Sequence, residues 1–543
     1  MTSNREKLFG KYTISFILRE IEKHGALKTA ADSLGISHIT VRGFLERNKS
    51  LPKLGKPGSH SMRPTFKQQA KAIKPIAAGK VSAFDAKREQ LKGKRFVFTS
   101  AQNNTRIHKK FWESLQTFCK FNDAQLFVSR FTYNKSGFQN GTKENQELWY
   151  DKRLSASILD ASVVVAPGIL FCGELDILPT ANDPLSGLDS YCGNNSGIIP
   201  HAKVAMRSLP RLKGEPARFL YTTGCVTLRN YIARKAGQKA EFHHVYGALY
   251  VEVDASGEWF ARQLIADNNG EFHDLDRRYR PTDSCGYSVA AINWGDIHIE
   301  KPDTTVARAS WGCGNSSMLS NLRPSWQFVH DLTDFHARSH HEINDPYSLA
   351  AKYFKAEDRV EDGLRKSAEF LEQISAQEKV IVVESNHHEA FERWLKHANG
   401  HYDPVNAEFF HEANARKFKA LREGEDLDIY EWALRRYKKL KNVAFLRADE
   451  SFLIEGIECG MHGHLGINGS RGSAKSYRSI GKRVNCGHTH SAGIYDGVYV
   501  AGVSGKLDMG YNRGPSSWSH SHIVTYANGK RAIITVKNGK WRA

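Results

Sequence analysis

The sequence predicts an α/β protein led by a small all-α module, and three observations carry that prediction. In the second half of the chain, five apolar runs each end in a short polar motif: Asp296-Ile-His298, Asp331 with Asp334, Asn386-His387, His462-Gly-His464 and Gly487-His488-Thr-His490. Buried strands read as near-continuous apolar runs, and the residues just after such a run are released at the edge of a sheet. The region after residue 94 opens as strand, helix, strand, while residues 13–47 repeat their apolar positions with the helical period. A chain of 543 residues holds about three to four domains. The division predicted is 1–49, an all-α module; 50–94, a basic flexible linker; 95–284, an α/β domain of unassigned role; and 285–543, the domain with the polar motifs.

In the N-terminal module, Ile14, Ile17, Leu18 and Ile21 share one helical face over 13–23. Gly25 interrupts it, and Leu27 to Leu34 forms a second short helix. Gly35-Ile36-Ser37 makes a turn, with Ser37 placed to cap a third helix from His38 to about Arg47. This resembles the helix-turn-helix of bacterial and phage DNA-binding proteins. Ala31 is small where helices cross, Gly35 permits a left-handed turn, and Leu34, Ile36, Val41 and Phe44 supply a small core. The resemblance implies that Ser37, His38, Thr40 and Arg42 face base edges, with Arg47 and Lys49 near phosphates.

Charge points to the same partner. The net charge is +19, and 47–95 alone holds fourteen Lys/Arg against Asp85 and Glu89. A polyanion explains such a stretch economically, because each phosphate neutralised releases counterions; a solvated linker that binds nothing is the plainer alternative. Pro52, Pro57, Pro64 and Pro75 with Gly55, Gly58 and Gly79 make 50–94 a tether, with at most a short helix near Phe66 to Ile73. The eight cysteines form no C-x-x-C pair, the start of the chain has no signal-peptide core, and the longest apolar stretch, 161–173, is short of the ~20 residues of a membrane span. The expectation is a cytoplasmic protein with reduced thiols.

The middle third is read as a strand at Arg95 to Thr99, a helix at Ile107 to Phe121 and a strand at Ala124 to Phe131. Further runs lie at 162–171, 202–208, 218–222, 246–253 and 260–266. It has no Gly-rich nucleotide fingerprint and no nucleophile elbow, so a scaffold or DNA-contacting role is the reading.

In the last half, Ser288 to Ile292 precedes Asp296 and His298. Trp326 to Val329 precedes Asp331 and Asp334, and Lys379 to Val383 precedes Asn386 and His387. A weaker run, 451–459, precedes His462 and His464, and Lys482 to Val484 precedes His488 and His490. Carboxylates, imidazoles and an amide oxygen are the donors that hold divalent metals. Any one of these histidines, taken alone, is more simply a hydrogen-bonded core or surface residue; their conjunction in order is the signal.

That ordered set resembles the calcineurin-like metallophosphoesterases over roughly 285–543. The resemblance implies a four-layer α/β/β/α sandwich and a metal set of Asp296, His298, Asp331, Asn386, His462, His488 and His490. Two divalent ions ~3.5–4 Å apart would share Asp331. Manganese suits the mixed ligand field, with iron, zinc or magnesium as alternatives. His387 would be the general acid and Asp334 an orienting carboxylate. Two positions depart from the family: His330 and Ser385 stand where glycine is usual. In the fourth motif His462 is preferred over His464 because the family's ligand precedes a glycine.

With the basic N-terminus, the chain looks most like SbcD-type nucleases, and also resembles early proteins of large tailed phages implicated in host-DNA destruction and DNA transfer, which would place it in the host cytoplasm. DNA is the expected partner, and self-association is left open. Arg471, Lys475 and Arg478 in the 466–479 loop are either substrate contacts or a surface loop. The rival readings are a phosphoesterase for small nucleotides or phosphoproteins, and a DNA-binding regulator or DNA-transfer component with an inactive fold. At the C-terminus, Ile523 to Tyr526, Ala532 to Val536 and a last short strand are expected around Asn528-Gly529 and Asn538-Gly539.

Overall fold

The computed structural model describes residues 7–8, 12–24, 27–47, 88–133, 148–314, 316–339, 342–343 and 345–543, with the backbone alone at 7–8, 43, 46 and 47. The chain divides into two compact units, Met1–Ala86 and Lys87–Ala543. In the first, helices Ile14–His24, Leu27–Ser33 and His38–Arg47 come after a two-stranded ribbon, Lys7–Leu8 with Tyr12–Thr13, that the sequence does not announce. Ile17, Ile21, Ala30, Ala31, Val41, Phe44 and Leu45 form its core. Ile36 packs against that core, whereas Leu34 stays outside it. Gly35 takes φ +64°, as the turn requires. Ser37, His38 and Arg42 are exposed and Thr40 half-buried. The Arg47 side chain, Lys49 and the helix expected near 66–73 lie outside the described residues.

The second unit is mixed α/β and is organised around a six-stranded sheet. Its order is Val443–Leu446, Lys379–Val383, Trp326–Val329, Ala291–Asn293, Ser521–Thr525, Arg531–Thr535. The first four strands run parallel, and the C-terminal hairpin closes the edge antiparallel. Successive side chains of a strand point to opposite faces, and this sheet uses both. Ile292, Val329, Val380, Val382, Val524 and Ile534 pack on the helical layer, with Leu364 and Leu371 of Val360–Ile374 and Phe391 of Asn386–His397. Ala291, Phe328, Ile381 and Val383 pack the other way, on Ile454, Ile457 and Cys459.

Ile454 and Ile457 belong to the first two strands of a ten-stranded sheet. It runs Leu453–Ile454, Ile457–Glu458, Arg483–Cys486, Val498–Val500, Gly493–Tyr495, then Met206–Leu209, Arg218–Thr222, Ser196–Ile199, Ile169–Cys172 and Ser162–Ala166. The seam is the antiparallel pairing of Gly493 and Ile494 with Arg207 and Met206. A three-stranded sheet, Phe272–Asp274, Arg277–Tyr279 and Ser284–Gly286, and a four-stranded sheet, Trp259–Ile265, Gly247–Val253, Arg95–Gln102 and Gln125–Phe131, complete the unit. Phe96, Phe98, Leu249 and Val251 of the four-stranded sheet enter one core with Ala492, Ile494, Ile523 and Ile533. Residues on both sides of position 285 therefore share a sheet and a core.

Local departures from the expected elements have local causes. The 162–171 run is two strands because Pro167-Gly168 turns between them, Gly168 at φ +83°. The helix expected from Ile107 begins at Lys109 because the His108 ring accepts the Phe111 N–H at 3.1 Å and caps it. The last short strand is absent: Asn538-Gly539 closes only a single bridge, Lys537 to Lys540. No helix of the described residues is long and apolar enough to cross a membrane.

Candidate metal centre

The carboxyl ends of the parallel strands Ala291–Asn293, Trp326–Val329 and Lys379–Val383 release three of the polar motifs, and the ends of Ile457–Glu458 and Arg483–Cys486 in the other sheet release two. Three groups of metal-capable side chains result, with ligand atoms inside each group within 4.8 Å: Asp296, His298, Asp331 and His490; His298, Asp334 and His387; and Asp331, His462 and His488. They share Asp331 and His298 and form one continuous cluster.

The distances are those of donors crowded on common points. His490 Nε2 lies 3.0 Å from Asp296 Oδ2 and 3.1 Å from His298 Nε2. His462 Nε2 lies 3.2 Å from Asp331 Oδ2 and 3.1 Å from the Asn386 amide oxygen. Asn386 opens helix Asn386–His397, which starts directly after strand Lys379–Val383. His464 turns away to Glu389, at 3.0 Å, so His462 is the fourth-motif residue placed among the others. Asp334 sits 3.0 Å from His298 Nδ1 and 2.8 Å from Lys301 Nζ, which fixes the ring and leaves Nε2 facing the cluster. His387 Nδ1–H donates to the Asp334 carbonyl at 2.8 Å, leaving Nε2 3.9 Å from Asp331 Oδ2 on a side chain 20% exposed.

The backbone is bent to make this cluster. His298, Asp331, His488 and His490 hold φ of +46°, +41°, +72° and +57°, each costing about 1–3 kcal/mol for a residue with a Cβ. Gly487 is required beside them, because a Cβ there would stand 2.1 Å from Asp296 Oδ1. The bulk at the two departures from the family pattern is absorbed inside: the His330 ring is buried, stacked at 5.7 Å on His462, and Ser385 is buried at the head of helix Asn386–His397.

Electrostatics test whether a cation fits. Burial, with the charge of Asp331 beside it, pushes Asp296 well above the carboxylate range. Burial works against Asp331 as well, but His462 and His387 hold it well below that range. Burial lowers His488 and His490 to about 4, so both are neutral imidazoles at neutral pH, the form that ligates metal. Burial also opposes protonation of His387, yet Asp331 and Asp334 outweigh it and raise its pKa. Asp296 Oδ1 and Asp331 Oδ1 are buried without a hydrogen-bond partner. Buried carboxylate oxygens left unpaired are costly, and a cation satisfies them. These groups can hold a metal ion.

Sequence reasoning passed over Lys301, whose only signal was its place three residues after His298. It also passed over the aromatic wall, in which the Trp518 ring lies 4.2 Å from His490 and Tyr511 lies 5.9 Å from Trp518 and 5.1 Å from Lys301 Nζ. The 505–520 loop that brings these rings has no periodic pattern to announce it.

Among known proteins, the chain is 46% identical over 499 residues to protein A1 of Escherichia phage T5, covering 89% of each chain. No family model matches it, and no solved structure does.

Proposed function

The chain belongs to the family of phage protein A1, and from that premise we propose that it is a dinuclear-metal phosphodiesterase of the calcineurin-like metallophosphoesterase type, acting on DNA during phage infection. One observation carries the reading. Side chains from five separate strand ends, in two facing sheets, converge on one buried cluster around Asp331. The two sheets, with helices outside the six-stranded one, support the sandwich architecture of that superfamily.

Asp296, His298, Asp331 and His490 would hold one cation, and Asp331, Asn386, His462 and His488 a second, with manganese the best match to the donors. Two divalent cations there would supply Lewis-acid activation of a water nucleophile at neutral pH and neutralise charge on a phosphoryl group. The protein's own contributions are distinct. Asp331 would serve both positions. Asp334, braced by Lys301, fixes the His298 ring. His387, locked through Nδ1 and open at Nε2, would protonate the departing sugar oxygen. The basic N-terminal segment and the three-helix module support DNA as the substrate.

Purified protein incubated with linear and circular DNA tests this. Cleavage that manganese supports and a chelator abolishes is expected. Unchanged cleavage after exhaustive chelation and dialysis would remove the mechanism. Hydrolysis of a chromogenic phosphodiester without any attack on DNA would favour a small-nucleotide substrate.

A further inference from the structure

The strand that delivers His488 begins at Arg483, and Arg483 lines a groove of about 660 Å³ between helix Lys235–His243 and the 475–483 segment. Lys239, Lys475, Arg478 and Lys482 line it too, and Asp496 is its one carboxylate. That carboxylate is already matched, because the nearly buried Lys203 and Arg478 both ion-pair with it. Lys482 reaches Glu458 at 3.4 Å. Among the described residues no carboxylate pairs with Lys239, Lys475 or Arg483. Arg483 donates through Nη1 to the Gly529 carbonyl and through Nη2 to the Glu455 carbonyl, at 2.8 and 2.9 Å, two neutral acceptors among its five N–H donors. The groove thus holds a surplus of positive charge. Its only apolar side chain is Phe242, 82% exposed.

Two chain connections put upper limits on its separation from the metal-centre motifs. Arg483 is five positions from His488, at most about 18 Å of extended chain. Lys475 is three positions from Gly472, at most about 11 Å, and the Gly472 N–H donates to the His464 carbonyl at 2.8 Å. A polymer with a phosphate in the centre has its neighbouring phosphates within that span.

We infer that this groove binds the flanking part of a single nucleic-acid strand, with phosphates on Lys239, Lys475 and Arg483 and a base stacked on Phe242; the substrate role of that strand rests on the phosphodiesterase reading. Cationic grooves with a bare aromatic ring are the general solution for unpaired strands, since every base offers a face to stack and a duplex hides it. An acidic peptide would use the cations but leave the ring idle.

The test uses the full chain in chelator, so that nothing is cleaved. Oligothymidylate of about twenty nucleotides, longer than the roughly 4–16 that one such surface covers, carries 5-iodouracil and is cross-linked by light, and the adducts are mapped by mass spectrometry. An adduct on the peptide bearing Phe242 is expected. The Lys239→Glu, Lys475→Glu double variant should bind the strand about tenfold more weakly, with its log–log salt slope reduced in magnitude by about 0.7 for each phosphate no longer neutralised. Phe242→Ala, at an exposed position that leaves the fold intact, should lose the adduct. Cross-links confined to other regions, with an unchanged salt slope, would overturn the inference. So would competition by polyglutamate equal to that by oligothymidylate, which would point to an acidic protein partner. Chromogenic diester hydrolysis by the unsubstituted chain with manganese is read in parallel. Hydrolysis without a groove adduct sinks the groove and leaves the enzyme; an adduct without hydrolysis of diester or DNA keeps the groove as a binding site and removes the phosphodiesterase reading.

Discussion

Single residues carry the chemistry, and their roles separate by substitution. Asp331 belongs to two of the three candidate ligand groups, so Asp331→Asn is expected to lower activity by orders of magnitude and to reduce bound metal. His387 stands at the rim with its Nδ1 committed, so His387→Ala should keep its metal yet slow hydrolysis by ~10²–10⁴-fold. Metal analysis beside the rate distinguishes the two, and a His387→Ala protein that loses metal contradicts the assignment. Gly487 tests geometry rather than chemistry. Its Cβ would strike Asp296, so Gly487→Ala should diminish metal binding although it removes no donor. The residue types of the site were legible because each comes directly after an apolar run. His462 is preferred over His464 on the resemblance alone, and in the structure His462 meets Asp331 while His464 pairs with Glu389. Lys301, Tyr511 and Trp518 were not legible, because spatial approach alone joins them to the site.

At the scale of elements, periodicity did most of the work. Trp326–Val329, Lys379–Val383 and Arg218–Thr222 are read from the sequence with their observed bounds, since their apolar side chains are buried on one or both faces. What periodicity does not carry is pairing. Nothing in 202–208 tells that Met206 and Arg207 will pair with Ile494 and Gly493, almost three hundred residues away. Nor does it carry termini set by a single hydrogen bond, as at His108. The packing between the two large sheets can be tested at Phe328, buried against Ile381 and Ile457. Phe328→Ala should cost about 3–5 kcal/mol, read as a lower urea midpoint in denaturation. A midpoint unchanged within error would mean that the sheets do not depend on that layer.

At the scale of the whole molecule, length and composition suggested separate middle and C-terminal pieces, but the shared core of Phe96, Leu249, Ile494 and Ile523 joins them. No composition shift marks that union, because both pieces are ordinary α/β sequence. The N-terminal unit differs, in that charge betrays it. Removing residues 1–86 should weaken binding to duplex DNA and reduce the magnitude of the log–log salt slope by about 0.9 for each phosphate released from the protein's cations. Titration of labelled duplex across a salt series checks this, and equal slopes would mean that the basic segment does not touch DNA.

If the cluster around Asp331 holds two cations, and if those cations make the protein a phosphodiesterase, occupancy and activity must rise together. Manganese is titrated into the chelated, full-length protein, with binding measured by calorimetry and DNA cleavage sampled at each addition. Two equivalents bound, cleavage that rises as they fill, and loss of both signals in Asp331→Asn are expected. Binding of no metal, or cleavage that Asp331→Asn leaves intact, would contradict the metal-dependent mechanism.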